Sequence, residues 1–264
     1  MNKVSKNYKN NQVLNDVEFE FNSGVTLILG DNGSGKTTLL KTLGGFIKKY
    51  DGNVECADDA SLLLDAPSLY SFKSGKENIF LFLNDEEQKN SEQYINLFNM
   101  NDYINKLVKS YSNGMKKKLS LVIALSKNKK YLLLDEPTNS LDIESVGILK
   151  NILLNLKKDK HILISSHDIS IYDIDLIDVI FKLKNGKLIT LNVQDLDYKY
   201  YKIKTLNEIA DFEYEFEHLD GYYYFKVFNN KIMDFVTQLS KFLVVEMNTI
   251  NFLDDIYMRG LYHD

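Results

Sequence analysis

Short apolar runs alternate along this chain with longer stretches whose apolar residues recur at helical spacing. Val25-Thr26-Leu27-Ile28-Leu29, Ser61-Leu62-Leu63-Leu64, Tyr131-Leu132-Leu133-Leu134 and His161-Ile162-Leu163-Ile164-Ser165 have the length and apolar density of buried strands. Val13 to Phe21, with Val17, Phe19 and Phe21 in alternation, reads as a half-buried strand, and Gly52 to Cys56 as a turn into a short one. Thr37 to Leu43 opens a helix, and Ile143 to Lys157 forms another. A polar-faced helical block runs from about 75 to 125, begun by a capping box in which Ser74 caps the helix and Glu77 reaches back to its N–H. Strands alternating with helices predict an α/β fold, a mainly parallel sheet covered by helices, with the block at about 75–125 as an inserted helical subdomain.

The pattern changes near residue 190. Tyr200 to Ile203, Phe212 to Phe216 and Tyr222 to Val227 read as strands, and Val244 to Met247 as a last one. Between them Ile232, Phe235, Val236, Leu239 and Leu243 mark a helical face. Residues 191–264 are therefore expected to form a small accessory α+β lobe beside a main domain at 1–190, with the lobe's aromatics serving as its core.

Composition narrows the classes. A chain of 264 residues is long enough to bury a core of its own. The single Cys56 excludes an intramolecular disulfide and a cysteine zinc site, and reads as a small packing residue in a reducing compartment. A net charge of −5 argues against a dedicated nucleic-acid binder, so no nucleic-acid partner is expected. The most apolar long stretch, Leu119 to Leu134, is broken by Lys127-Asn128-Lys129-Lys130, and Met1 to Tyr8 is polar. The expectation is a soluble cytoplasmic chain that reaches a membrane only through a partner.

Two segments carry the candidate chemistry. Gly30-Asp31-Asn32-Gly33-Ser34-Gly35-Lys36-Thr37 joins a strand to a helix. Glycines there let successive N–H groups converge on a phosphate, Lys36 can reach the β- and γ-phosphates, and the Thr37 hydroxyl can ligate Mg²⁺. Asn32, Gly33, Ser34, Gly35, Lys36, Thr37 and Thr38 are the nucleotide-binding candidates in this loop. Tyr131-Leu132-Leu133-Leu134-Asp135-Glu136 ends a strand in two carboxylates, at the sheet edge where α/β folds bind ligands. Asp135 is placed to hold Mg²⁺ through its water, and Glu136 to orient or deprotonate the attacking water.

With these motifs in order, the chain resembles an ATP-binding subunit of an ABC transporter, exporter-like, across roughly residues 8 to 190. Ser112-Asn113-Gly114-Met115-Lys116-Lys117-Lys118-Leu119 resembles the signature motif, Asn139-Ser140-Leu141-Asp142 the D-loop, and His167 the switch histidine. Tyr8 resembles the aromatic that stacks on adenine, and Thr249 to Tyr257 the ending of exporter-type subunits. The resemblance implies a P-loop ATPase fold and ATP with Mg²⁺. Two chains, identical or not, would pair head to tail, with Ser112 and the Gly114 N–H of one facing the γ-phosphate held by the other. Glu136, His167 and Lys36 would be catalytic, and Asp142 would bridge subunits or cap a helix. Such a chain would sit peripherally on the inner membrane face, powering a separate permease for export of a peptide, lipid or drug-like substrate. The rival readings are a soluble ATPase of cofactor assembly and a slow-turnover regulatory module.

Three departures stand out. Asn113 replaces the usual glycine, and its tolerance of left-handed angles preserves the loop. Met115 replaces glutamine, and the lysine run after it reads as a solvated helix face near the phosphates. Asp65 stands where the family has its Q-loop glutamine. A carboxylate there can ligate Mg²⁺ through water but adds negative charge beside ATP, so turnover is expected to be slow or strongly dependent on partners, and Asp65→Gln to raise it.

Overall fold

The computed structural model describes residues 1–9, 11–20, 23–65, 68–167, 176–191, 198–209, 212–214, 216–219, 221–228 and 231–250. The chain divides into two compact units, whose described parts lie within 1–191 and within 198–250.

The first unit contains strands β1 (Asn2–Tyr8), β2 (Asn11–Val17), β3 (Gly24–Leu29), β4 (Asp51–Asn53), β5 (Ala60–Leu63), β6 (Tyr131–Asp135), β7 (His161–Ser166), β8 (Val179–Lys184) and β9 (Lys187–Leu191). Its helices are α1 (Lys36–Leu43), α2 (Gly75–Phe82), α3 (Asp85–Leu97), α4 (Asn113–Ser126) and α5 (Ile143–Leu156). The main sheet has the order β5-β6-β7-β3-β8-β9. It is parallel from β5 through β8 and closed by antiparallel β9. Register sets the site: Ile28 pairs with Ser165 and Asp135 also pairs with Ser165, so β3, β6 and β7 end at one edge. All six residues of β3 are buried, as a continuous apolar run in a central parallel strand requires.

A second sheet, β2-β1-β4, shares one core with the first through Val4, Leu14, Ile28, Leu39, Leu133 and Phe181. The alternation from Val13 to Phe21 predicts a strand running past β2, with Phe21 outside the described residues. β2 ends at Val17, and Phe19 is buried outside the ladder, its ring 5.4 Å from that of Phe181. The Phe19 N–H still donates to the Met1 carbonyl at 3.4 Å, while packing of the ring, not a regular ladder, fixes this period-2 residue. Cys56 is buried, its thiol 3.4 Å from the Leu43 carbonyl and pushed up in pKa by desolvation, as suits a packing residue.

The helical block comprises α2, α3 and α4. Ser74 accepts from the Glu77 N–H at 3.1 Å while Glu77 accepts from the Ser74 N–H at 2.8 Å, completing the expected box. That N–H, aided by Lys73, holds the Glu77 carboxyl down at about 2. Asn84 and Glu87 form a second box at the start of α3.

The second unit is an antiparallel sheet of β10 (Tyr198–Thr205), β11 (Phe216–Leu219), β12 (Tyr222–Phe228) and β13 (Val244–Ile250), with helix α6 (Ile232–Leu239). Its order is β11-β12-β10-β13. Alternation sends Tyr201, Ile203, Tyr223, Phe225 and Val227 into a core with Phe235 and Leu239. The strand expected at Phe212 to Phe216 begins only at Phe216, because Phe212 packs its ring 5.0 Å from Phe225 and 5.7 Å from Phe235. The exporter-like ending falls mostly on residues 251–264, outside the described residues.

Candidate active site

The loop after β3 is shaped by backbone freedom. Gly33 and Gly35 take φ values of 85° and 107°, a region that side-chain-bearing residues adopt only with strain. A Cβ at Gly30 would lie 2.6 Å from Ser34 Oγ and 2.8 Å from the Leu183 carbonyl, so only glycine lets the turn close. Around Gly33 there is open space. Helix α1 starts here with no side-chain cap and no acidic residue in its first turn, which leaves its N–H groups and positive dipole end to an anion.

Lys36 is buried beneath this loop. Its ammonium donates to the Gly30 carbonyl at 2.5 Å and the Asp31 carbonyl at 3.3 Å, and stands 3.7 Å from Glu136 Oε1. Thr37 Oγ1 donates to Asp135 Oδ2 at 2.7 Å, while Ser165 Oγ donates to Asp135 Oδ1 at 2.5 Å. Both oxygens of the buried Asp135 are thus fixed, one by the phosphate loop and one by the neighbouring strand. Thr37 and Asp135 together present hard oxygen donors, the chemistry that a nucleotide-bound Mg²⁺ takes beside phosphate oxygens and water. Among the described residues no group of three or more His, Cys, Asp or Glu side chains forms a metal cage, which a magnesium held mainly by phosphates and water does not need.

Glu136 differs from its neighbour. It follows the strand with φ 46°, in the left-handed region, while its N–H bonds the Ser165 carbonyl at 3.0 Å. This twist separates two adjacent carboxylates, sending Asp135 to Thr37 and Glu136 to Lys36 and His167. His167 Nδ1 lies 3.0 Å from Glu136 Oε2 but not in hydrogen-bonding geometry, so that buried oxygen has no hydrogen-bond partner. Ser34 Oγ and Thr138 Oγ1 are buried without partners as well. Ser34 Oγ within the glycine loop and Glu136 Oε2 beside Lys36, both unpartnered, fit a polyanionic ligand with water beside it.

The other sequence candidates lie elsewhere. Tyr8, at the end of β1, is 47% exposed with the Lys6 ammonium 4.8 Å from its ring centroid. Ser112 caps α4, accepting from the Met115 N–H at 3.2 Å. Among the described residues neither Ser112 nor Gly114 bonds to residues 30–38 of the same chain; Gly114 instead packs so closely that a Cβ would meet the Ser140 carbonyl at 2.7 Å. Asn113 lies inside the helix, so the left-handed geometry expected for it is not used. Asp142 caps α5 by accepting from the Ser145 N–H at 2.8 Å. With the Ser145 hydroxyl and Lys118 also on it, its carboxyl falls from 3.8 to about 2. Thr38 sits in the first turn of α1 and Asn32 in the loop.

The lysine run is not a solvated face. Lys117 is buried and paired with Asp65 at 3.2 Å, and Lys118 pairs with Asp142 at 3.0 Å. Asp65 also accepts from Asn139 Nδ2 at 3.3 Å, and it makes no hydrogen bond to Thr37 or Asp135. Sequence reasoning missed Ser165, Lys117, Lys118 and Asn139. None of these roles had a local signal: strand pairing sets Ser165 opposite Asp135, and the partners of Lys117, Lys118 and Asn139 are distant in sequence.

A profile of the ABC transporter family matches residues 14–139. Among curated proteins, the chain is 31% identical over 217 residues to a putative ABC transporter ATP-binding protein of Pyrococcus furiosus, covering 73% of this chain and 83% of that protein. It is 28% identical over 227 residues to the lantibiotic transport ATP-binding protein SrtF of Streptococcus pyogenes, covering 81% of this chain and 96% of that one. Its fold is similar to a solved ATP binding subunit of an ABC transporter, with a TM-score of 0.66 at 22% identity over 74% of this chain and 90% of the other.

Proposed function

Because the chain belongs to the ABC transporter family of ATP-binding proteins, we propose that it hydrolyses ATP to drive a separate membrane permease. The observation that carries this reading is the convergence of Lys36, the Thr37–Asp135 pair and Glu136 at one sheet edge beside the glycine loop. Loop and helix N–H groups bind the phosphates, and Lys36 places positive charge beside them. Thr37 and Asp135 would hold Mg²⁺, which when bound neutralises phosphate charge. Glu136 Oε2, buried and without a hydrogen-bond partner, accepts the proton of the attacking water as its oxygen adds to the γ-phosphorus and ADP departs. His167, half exposed beside Glu136, reports nucleotide state to that carboxylate.

Ser112 and Gly114 would complete the site across a head-to-tail dimer, and Tyr8 would offer its ring to adenine. Tyr70, Phe72 and Phe80, all exposed around the start of the helical block, supply the apolar surface for a permease. As the partner of a permease, the chain would sit peripherally on the cytoplasmic face; no described helix is long and apolar enough to cross a membrane. The likeness to a lantibiotic transport subunit favours a peptide among the export substrates. Glu136→Gln tests the core of this reading. It is expected to lower ATP turnover by roughly 10²–10⁴-fold while keeping ATP binding and trapping a nucleotide-dependent dimer; hydrolysis at the parental rate would remove Glu136 from the mechanism.

A further inference from the structure

Lys117 is the buried cation that the hydrolytic site leaves unexplained. Its side chain is 3% exposed, on the second turn of the helix that Ser112 begins. The ammonium bonds Asp65 Oδ1 at 3.2 Å and the Asp65 carbonyl at 3.4 Å. Asp65 Oδ1 is shared with Asn139 Nδ2, three residues beyond Glu136, and Asn139 N–H in turn donates to the Glu136 carbonyl at 3.3 Å. Three segments meet at this one charge: the loop after β5, the loop after β6, and helix α4. Burial pushes the Lys117 ammonium toward neutrality, and Asp65 opposes that first, with Asp135 and Glu136 adding more distant support.

We propose that Lys117 is a positioning residue for ATP hydrolysis, its ammonium locking Asp65 and Asn139 to the signature helix so that Glu136 and the Ser112 end of α4 move as one unit. The inference rests on the hydrolytic reading above. Asp65 on this view is a counter-ion, and its negative charge is spent on Lys117 instead of being added beside ATP. The consequence reverses the sequence expectation for Asp65→Gln. A glutamine leaves a buried ammonium with its strongest partner removed, so turnover falls.

The discriminating experiment is a double-mutant cycle on the full chain with Mg²⁺-ATP, reading kcat, KM and thermal unfolding together. Lys117→Gln and Asp65→Gln are each expected to lower kcat on the order of tenfold with KM within about twofold, and the double variant, in which the same link is already gone, to lose no more than either single. A merely structural pair would lower the unfolding midpoint and spare kcat. Singles with parental kcat, a faster Asp65→Gln, losses that multiply in the double variant, or a double variant restored to the parental kcat would each overturn the proposal. Glu136→Gln runs alongside: if it turns over like the parent, the hydrolytic reading fails separately. ATP-driven dimerisation in the Glu136→Gln background then decides, since Lys117→Gln should weaken it roughly tenfold and an unchanged dimer would refute the lock.

Discussion

The phosphate loop at 30–38 and the signature segment at 112–118 are both polar helix starts, yet they are built on opposite principles. The first is made by backbone: left-handed glycines at 33 and 35, a turn that admits no Cβ at Gly30, and a helix with no side-chain cap. The second is made by side chains: Ser112 supplies a cap, its residues are helical from Asn113, and Lys117 and Lys118 fasten it to Asp65 and Asp142. On the proposed function, the region that binds phosphate keeps its N–H groups free, whereas the one proposed to transmit position is tied by charges to its neighbours. The first should be far more sensitive than the second to an added methyl group.

Gly35→Ala should break that contrast hardest. Its φ of 107° and a Cβ within 2.9 Å of Val13 Cγ1 predict a loss on the order of 3 kcal/mol in denaturant unfolding, with ATP binding lost as well. Gly114→Ala carries no left-handed strain, only the 2.7 Å approach to the Ser140 carbonyl, and should cost about 1–2 kcal/mol. Equal losses at both positions would mean that the two segments do not differ in kind. The smallest effect belongs to Asp142→Ala, at roughly 1 kcal/mol for a lost helix cap, held to the low end because the carboxylate is more than half exposed. Its carboxyl is depressed from 3.8 to about 2, first by the Ser145 hydroxyl and N–H and then by Lys118, so the ionised form is favoured in the folded state. That contribution is whole above pH 4 and fades as pH falls toward 2, so unfolding curves of parent and variant should converge across this window.

The strands at 25–29, 131–134 and 161–165, the glycine loop and the Ser74–Glu77 box were legible because each is local: a run of apolar residues, a spacing of glycines, a pair three residues apart. The end of β2, the strand β1 and the fastening of Lys117 were not. Phe19 keeps the strand's period beyond its end, and β1 is mostly polar with Val4 its one fully buried residue, so its pairing with β2 is not announced by composition. Lys117 and Asp65 lie 52 positions apart, so no window along the chain could show that a lysine in a basic run is buried. Asp65 read alone looked like surplus charge because its partner is a tertiary fact.

Glu136 occupies backbone that L-residues reach only at a cost of about 1 kcal/mol or more, at the position where the site needs a carboxylate turned out of the strand direction. If Glu136 is the base proposed above, selection for thermal robustness alone would favour glycine there and lose it, so durability and turnover would pull against each other at a single residue.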